Sequence, residues 1–171
     1  ILLTLIILYL IVKIESKGPF IHWSRRLGAN SKIFFMPKIR TMIIGSPDVA
    51  THLLKDPNKF VTKIGSILRR KSLDELPQIY SVLIGDMSFV GPRPALHNQD
   101  DLISERKKYK IDKIKPGITG WAQINGRDSL TIKEKVQLDN YYYINKNTKL
   151  DLLILFKTIF KNFNNKHDVS H

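Results

Sequence analysis

Residues 72–78 read SLDELPQ and set two carboxylates side by side, Asp74 and Glu75, between a serine and a proline. Adjacent acids of this kind can be a reactive pair, and carboxylates are ligands for a hard divalent cation. The same residues also read as a helix start. Ser72 with Glu75 three positions on has the spacing of a capping box, and acids in a first turn offset the helix dipole.

Cationic side chains flank this pair in the sequence: Lys38 with Arg40, then Arg69 with Arg70 and Lys71, then Arg93 between Pro92 and Pro94 in GDMSFVGPRP (85–94). A guanidinium in a proline-stiffened loop suits bidentate capture of a phosphate, and it keeps its charge when partly buried. The alternative for these arginines is solvation, or pairing with Asp86 and Asp100. Carboxylates, Mg²⁺ and arginines together are the equipment of phosphoryl transfer. A second loop, KPGITGWAQINGR (115–127), could bring backbone close to a ligand at Gly117, Gly120 and Gly126, with Trp121 as a stacking surface; packing against a neighbour is the alternative. It carries neither a dinucleotide-binding nor an ATP-loop pattern.

The chain as a whole prefers anions. Lys and Arg number 28 against 15 Asp and Glu, a formal charge of +13, which points to nucleic acid, acidic lipid or phosphorylated small molecules. No helix-turn-helix, zinc-finger or RNA-binding signature is present, and the aromatics sit within apolar stripes, so a nucleic-acid partner is not expected. Without cysteine there is no disulfide framework, thiolate nucleophile or Cys-rich zinc site. The histidines, His22, His52, His97, His167 and His171, lack the spacing of a metal pair.

The elements that must position these groups follow an apolar opening, ILLTLIILYLIV (1–12). A spanning helix needs about 20 such residues, and twelve cover only about 18 Å. The segment reads as part of a longer membrane helix, an arm of a re-entrant or interfacial helix, or a core helix. Beside a basic body, membrane contact is favoured, with that body on the cytoplasmic side. SKGP (16–19) ends the helix. KIFFMPKIRTM (32–42) is strand-like, and Pro37 confines it to an edge. A short helix is expected near 48–54, and IGSILRR (64–70) continues as a short basic amphipathic piece. SLDELPQIYSVLIG (72–85) reads as one helix that should bend or start irregularly at Pro77 and is closed by Gly85, with Leu73, Leu76, Ile79, Tyr80 and Leu83 on one stripe. Long helices follow near 131–144 and 150–163. The second has a broad apolar face suited to a core or a membrane interface.

Taken in order, SKGPFIHWSRRLG (16–28), KIRTM (38–42), SLDELPQ, GDMSFVGPRP and PGITGWAQINGR (116–127), with a closing DVSH (168–171), resemble the motif series of the bacterial sugar transferases, the small monotopic polyprenyl-phosphate phosphoglycosyl transferases. The resemblance runs from Lys13 onward. It implies an α-rich α/β monotopic membrane enzyme with a small sheet and amphipathic helices: residues 1–15 associate with the membrane and 16–171 form a cytoplasmic catalytic domain at the bacterial inner membrane. It implies transfer of a sugar-1-phosphate from a UDP-sugar to polyprenyl phosphate with release of UMP, as a first step of surface-glycan assembly. By similarity Asp74 is the nucleophile that forms an aspartyl-phosphosugar, and Glu75 holds Mg²⁺. Arg93, Arg69, Lys38 and Arg40 grip phosphates, while Pro92, Pro94, Gly117, Gln123, Asn125 and Arg127 belong to the substrate loops. Anionic lipid is a further expected partner, and a homo-oligomer is left open. One departure lies at the front: members of that family usually carry a longer helix that breaks at a Ser-Pro pair and returns, and here Leu2 and Leu3 stand near that break, so either the first arm lies upstream or the membrane insertion differs. The other classes open to the sequence are a non-catalytic basic membrane adaptor and, less favoured, a nucleic-acid-binding module.

Overall fold

A computed structural model describes residues 2–47, 56, 59–126 and 129–164. The expected helix at 48–54, Arg127 and DVSH fall outside these residues.

The apolar opening forms α1 (Leu2–Glu15), rich in leucine and isoleucine and free of Gly and Pro. One stripe of it packs inward, Leu8 and Val12 buried and Leu5 partly so, against Ile39 and Leu68. Leu3, Ile6, Ile7, Leu10 and Ile14 stand exposed. Among the described residues no helix is long and apolar enough to cross a membrane. The end of α1 is clamped from two directions. The Arg40 guanidinium donates to the carbonyls of Lys17 at 2.5 Å and Ser16 at 2.9 Å, a cation satisfying acceptors past a helix C-terminus. The Glu15 carboxylate accepts the Ile64 N–H at the head of α2 (Lys63–Arg70), whose cap, Thr62, accepts the Gly65 N–H.

β1 (Ile21–Leu27) and β2 (Ile33–Ile39) pair antiparallel, with Trp23 opposite Pro37. In a two-stranded sheet both strands are edges, so Pro37 removes no ladder bond that the fold needs. Alternation sends Phe34 and Met36 into a core with Met87 and leaves Lys38 on the same side, facing the acid pair.

Residues 72–85 depart from the sequence reading. Ser72 is left-handed (φ 53°) and makes no side-chain cap, so there is no capping box here. Leu73–Gln78 wind as a 3-10 turn and only Ile79–Leu83 are α-helical (α3). Pro77 has no N–H to donate to a carbonyl one turn back, so a regular α-helical ladder is interrupted at this point. The tighter turn also splits the expected apolar stripe. Leu73 and Leu76 pack inward, Tyr80 and Leu83 are exposed, and the buried positions are Asp74, Gln78 and Ser81. The capping box of this chain lies instead at Thr131 and Glu134, an S/T-x-x-E pattern that the sequence also displays.

The two loops are more ordered than their turn-rich composition suggests. β3 (Ser88–Val90) and β4 (Gly117–Thr119) form a parallel pair, Ser88 opposite Gly117 and Val90 opposite Thr119. Parallel strands need a crossover, and the residues between them supply α4 (Asp100–Lys108), a segment to which the sequence reading assigned no element. A Cβ on Gly117 would run into the Gly91 amide, and one on Gly120 into the Gly91 carbonyl. These glycines let two backbones touch, so at Gly117 and Gly120 the packing alternative holds. A short helix, α5 (Trp121–Ile124), then leads to α6 (Ile132–Asn145) and α7 (Thr148–Asn164). Of α7, Ile154 is fully buried with Val90 and Tyr142. Leu152, Phe156, Ile159 and Phe160 stay exposed.

Candidate active site

The 3-10 turn brings Asp74 and Glu75 under β2 and beside the PRP loop. Glu75 Oε1 accepts from Arg93 Nη2 at 2.7 Å and lies 3.5 Å from Lys38 Nζ. Both members of that cationic pair come from other elements, Lys38 from β2 and Arg93 from the loop after β3. Arg69, in the last turn of α2, donates from Nε to Thr41 Oγ1 at 2.8 Å, and its charge also acts on Asp74.

Asp74 is 7 % exposed. Burial raises its pKa above the ordinary carboxylate value; Lys38 pulls it back down, Glu75 pushes it up, and Arg69 and Arg93 pull it down. Cations rather than the N-terminus of a long helix therefore favour its ionised form. Lys38 shows the complement. Burial lowers its pKa to about 8, Glu75 pulls upward, Arg93 and Arg26 push down and Asp74 pulls up. Arg69 is also lowered by burial, with Asp74 opposing.

The structure gathers Asp74, Glu75, Lys38, Arg69 and Arg93 into one constellation. It does not include Arg40, which was expected to grip phosphate: its guanidinium is spent on the Ser16 and Lys17 carbonyls and it is buried. Arg70 and Lys71 point to solvent. Pro92 and Pro94 are buried on either side of half-exposed Arg93, so the loop presents the guanidinium and hides its flanks. Gly117 meets Gly91 backbone rather than open space. Gln123 Nε2 donates to the Ile118 carbonyl at 2.9 Å and Asn125 Nδ2 to the Trp121 carbonyl at 2.8 Å, so both amides brace the loop through these bonds. Sequence reasoning passed over Arg26 and Arg106. Arg26 donates to the Pro94 carbonyl and Arg106 to the Arg93 carbonyl. The only trace either leaves in the sequence is its charge, which many surface arginines share.

For a divalent cation the donor set is small. Among the described residues no group of three or more His, Asp or Glu is placed to hold a metal. Mg²⁺ is commonly held by one or two carboxylates, with substrate phosphates and water completing the shell; Glu75 is the carboxylate of this site that would serve such an ion.

A buried carboxylate and a neighbouring acid lie among cations from three elements, an arrangement with the charge to receive an anion. Comparison with known proteins makes this specific: the bacterial sugar transferase family model matches residues 1–165, and the chain belongs to that family. It is 42% identical over 151 residues to EpsL, an uncharacterised sugar transferase of Bacillus subtilis, covering 88% of this chain and 73% of that protein. It is 42% identical over 164 residues to the UDP-glucose:undecaprenyl-phosphate glucose-1-phosphate transferase of Escherichia coli, covering 92% of this chain and 35% of the relative. Against the UDP-N-acetylgalactosamine-undecaprenyl-phosphate N-acetylgalactosaminephosphotransferase of Aeromonas hydrophila the identity is 35% over 154 residues, covering 87% of this chain and 36% of the relative. The chain thus spans about a third of the length of these two named transferases.

Proposed function

We propose that this protein transfers a sugar-1-phosphate from a UDP-sugar to undecaprenyl phosphate, releasing UMP. The observation that carries the reading is Asp74, buried beside Glu75 and under the influence of Lys38, Arg69 and Arg93. Relatives with two different sugars in their names share this chain's sequence, so the shared part is the phosphate chemistry rather than the sugar.

In this reading an Asp74 oxygen attacks the phosphorus that bears the sugar. The new bond is Asp74 O–P; the bond broken joins that phosphorus to the bridging oxygen, which leaves with its electron pair on UMP. The carboxylate can do this because burial strips it of water while the surrounding cations favour its ionised form. Arg93 and Lys38 exchange part of their hold on Glu75 for the diphosphate oxygens, and Arg69 adds a third positive charge; together they lower the cost of bringing two anions together. Glu75, with the diphosphate, would hold Mg²⁺, which supplies charge neutralisation on the leaving UMP. An oxygen of the lipid phosphate then attacks the same phosphorus and breaks its bond to Asp74, regenerating the carboxylate and giving a lipid-linked diphosphosugar.

The exposed apolar faces of α1 and α7, on a chain of +13 charge, support placing the enzyme on an anionic membrane surface where the lipid acceptor resides. In the bacterial cell that surface is the cytoplasmic face of the inner membrane, and the product would begin a surface glycan. The test is UMP release by the protein in detergent with Mg²⁺, undecaprenyl phosphate and a panel of UDP-sugars. Lipid-dependent release with one donor, lost in Asp74→Asn, is the expected result. Unchanged release by the Asn variant would remove Asp74 from the mechanism, and no release from any donor would remove the reading.

A further inference from the structure

The PRP loop presents Arg93, yet prolines at 92 and 94 cannot donate a backbone hydrogen bond. The loop must therefore be fixed through its carbonyls, and four in succession are held. Pro92 O accepts from the Gly117 N–H at 2.9 Å, Arg93 O from Arg106 Nη1 at 2.8 Å, Pro94 O from Arg26 Nη1 at 3.1 Å and Ala95 O from the Leu27 N–H at 3.1 Å. Two of these donors are backbone groups of neighbouring strands. The other two are arginine side chains, each braced in turn. Arg26 Nε donates to Ser24 Oγ at 2.9 Å. Arg106 donates from Nε and Nη2 to Asp139 Oδ2 at 3.0 and 2.6 Å.

Asp139 is 2 % exposed and stands on α6. One turn further on, Tyr142 of the same helix shares its one hydroxyl proton between Asp151 Oδ1 at 2.8 Å and the Val90 carbonyl at 3.3 Å. Thus α6 grips the segment at both ends, through Tyr142 at Val90 and through the Asp139–Arg106 pair at Arg93. A buried ion pair is a poor way to gain stability, because desolvation offsets much of the attraction. Its geometry here has another consequence: it fixes the main chain of the residue whose side chain reaches Glu75 at 2.7 Å.

We infer that Arg106, held by Asp139, is a positioning residue that sets the Arg93 guanidinium at the phosphate site. The inference rests on the proposed role of Arg93 in binding phosphate. Arg106 touches no substrate; it acts through the Arg93 carbonyl. Its effect must therefore depend on the Arg93 side chain being present, whereas a general contribution to folding would not.

The test is a mutant cycle on the full chain with two readouts, UDP binding by calorimetry and steady-state UMP release. The variants are Arg106→Gln and the double replacement Arg106→Met/Asp139→Leu, each with and without Arg93→Ala. The double replacement removes both buried charges together, which leaves no orphaned carboxylate and preserves the fold. With Arg93 present, both variants are expected to weaken UDP binding and lower kcat about tenfold or more, with the Met/Leu protein melting near the wild-type temperature. With Arg93→Ala in place, neither variant should lose more than about twofold further. The same fractional loss in both backgrounds, or no loss in either, would overturn the inference. A wild-type protein that binds UDP but releases no UMP would defeat the transferase reading, while the binding cycle still decides the role of Arg106. A wild-type protein that binds no UDP would overturn both.

Discussion

Glu75→Gln keeps the shape of the acid pair and removes one charge, and its first effect should fall on Lys38. Burial holds Lys38 at about 8, against an ordinary 10.5, and Glu75 is the strongest influence acting upward. At the 3.5 Å that separates Nζ from Oε1, the attraction is roughly 1 kcal/mol in water and about 5 kcal/mol at an effective dielectric of about 20. Converted at about 1.4 kcal/mol per pH unit, the Lys38 midpoint should fall by about 1 to 3.5 pH units in the variant. The ammonium would then lose its proton in the neutral range, and anion binding would weaken at a pH where the wild type still holds a charge. The assay is an NMR titration of the lysine side-chain resonances in wild type and variant, followed by UDP binding across the same pH range. Stability gives an independent sign. In the wild type, between about 8 and 10.5, the unfolded chain binds a proton at Lys38 that the folded chain does not, so this residue makes stability rise with pH across that window. In Glu75→Gln the rise should begin at lower pH. A wild-type Lys38 that titrates near 10.5, or a midpoint identical in the two proteins, would refute the electrostatic account of the site.

Gly117→Ala puts a methyl group into the Gly91 backbone, which cannot move aside as a side chain could; a cost of about 1 to 3 kcal/mol is expected. That cost should lower the melting temperature by about 2 to 12 °C, and an unchanged melting temperature would show that the two loops are not packed backbone to backbone. Vesicles of phosphatidylglycerol and phosphatidylethanolamine should retain the protein. Replacing exposed Phe156 and Phe160 of α7 with serine should cost about 1.5 to 3 kcal/mol of partition free energy per ring, and equal retention of the variant would remove α7 from the membrane contact.

Local chemistry made several elements legible in advance. The unbroken run before Lys13 could only be a helix, SKGP could only end it, and the basic stretch after Thr62 and the two long periodic patterns near the C-terminus became α2, α6 and α7. Each depends on residues a few positions apart, so propensity, breakers and periodicity within one segment suffice. The turn at 72–78 was misread for the same reason. Ser72 and Glu75 have capping-box spacing, but the left-handed Ser72 and Pro77 force a 3-10 winding, and a left-handed serine announces itself in no local pattern. The strands β3 and β4 were missed because each has three residues, too few for an alternation to register, and they exist only by pairing with each other across the crossover.

By itself, then, the sequence determined the chemical inventory: an acid pair, an excess of cations, a proline-locked arginine and an apolar leading helix. Tertiary structure alone decided the allocation. Arg40 and Arg69 were both expected to grip phosphate, yet the first donates to the carbonyls at the end of α1 and the second lies where it acts on Asp74. Arg106 and Asp139, 33 positions apart, meet only because α4 and α6 pack together. The physical reason is that charge is a property of a residue, whereas its partner and its desolvation are properties of the packed chain. Which arginine serves a helix end, which serves a loop and which serves a substrate is settled only when burial has removed the water that would otherwise satisfy them all.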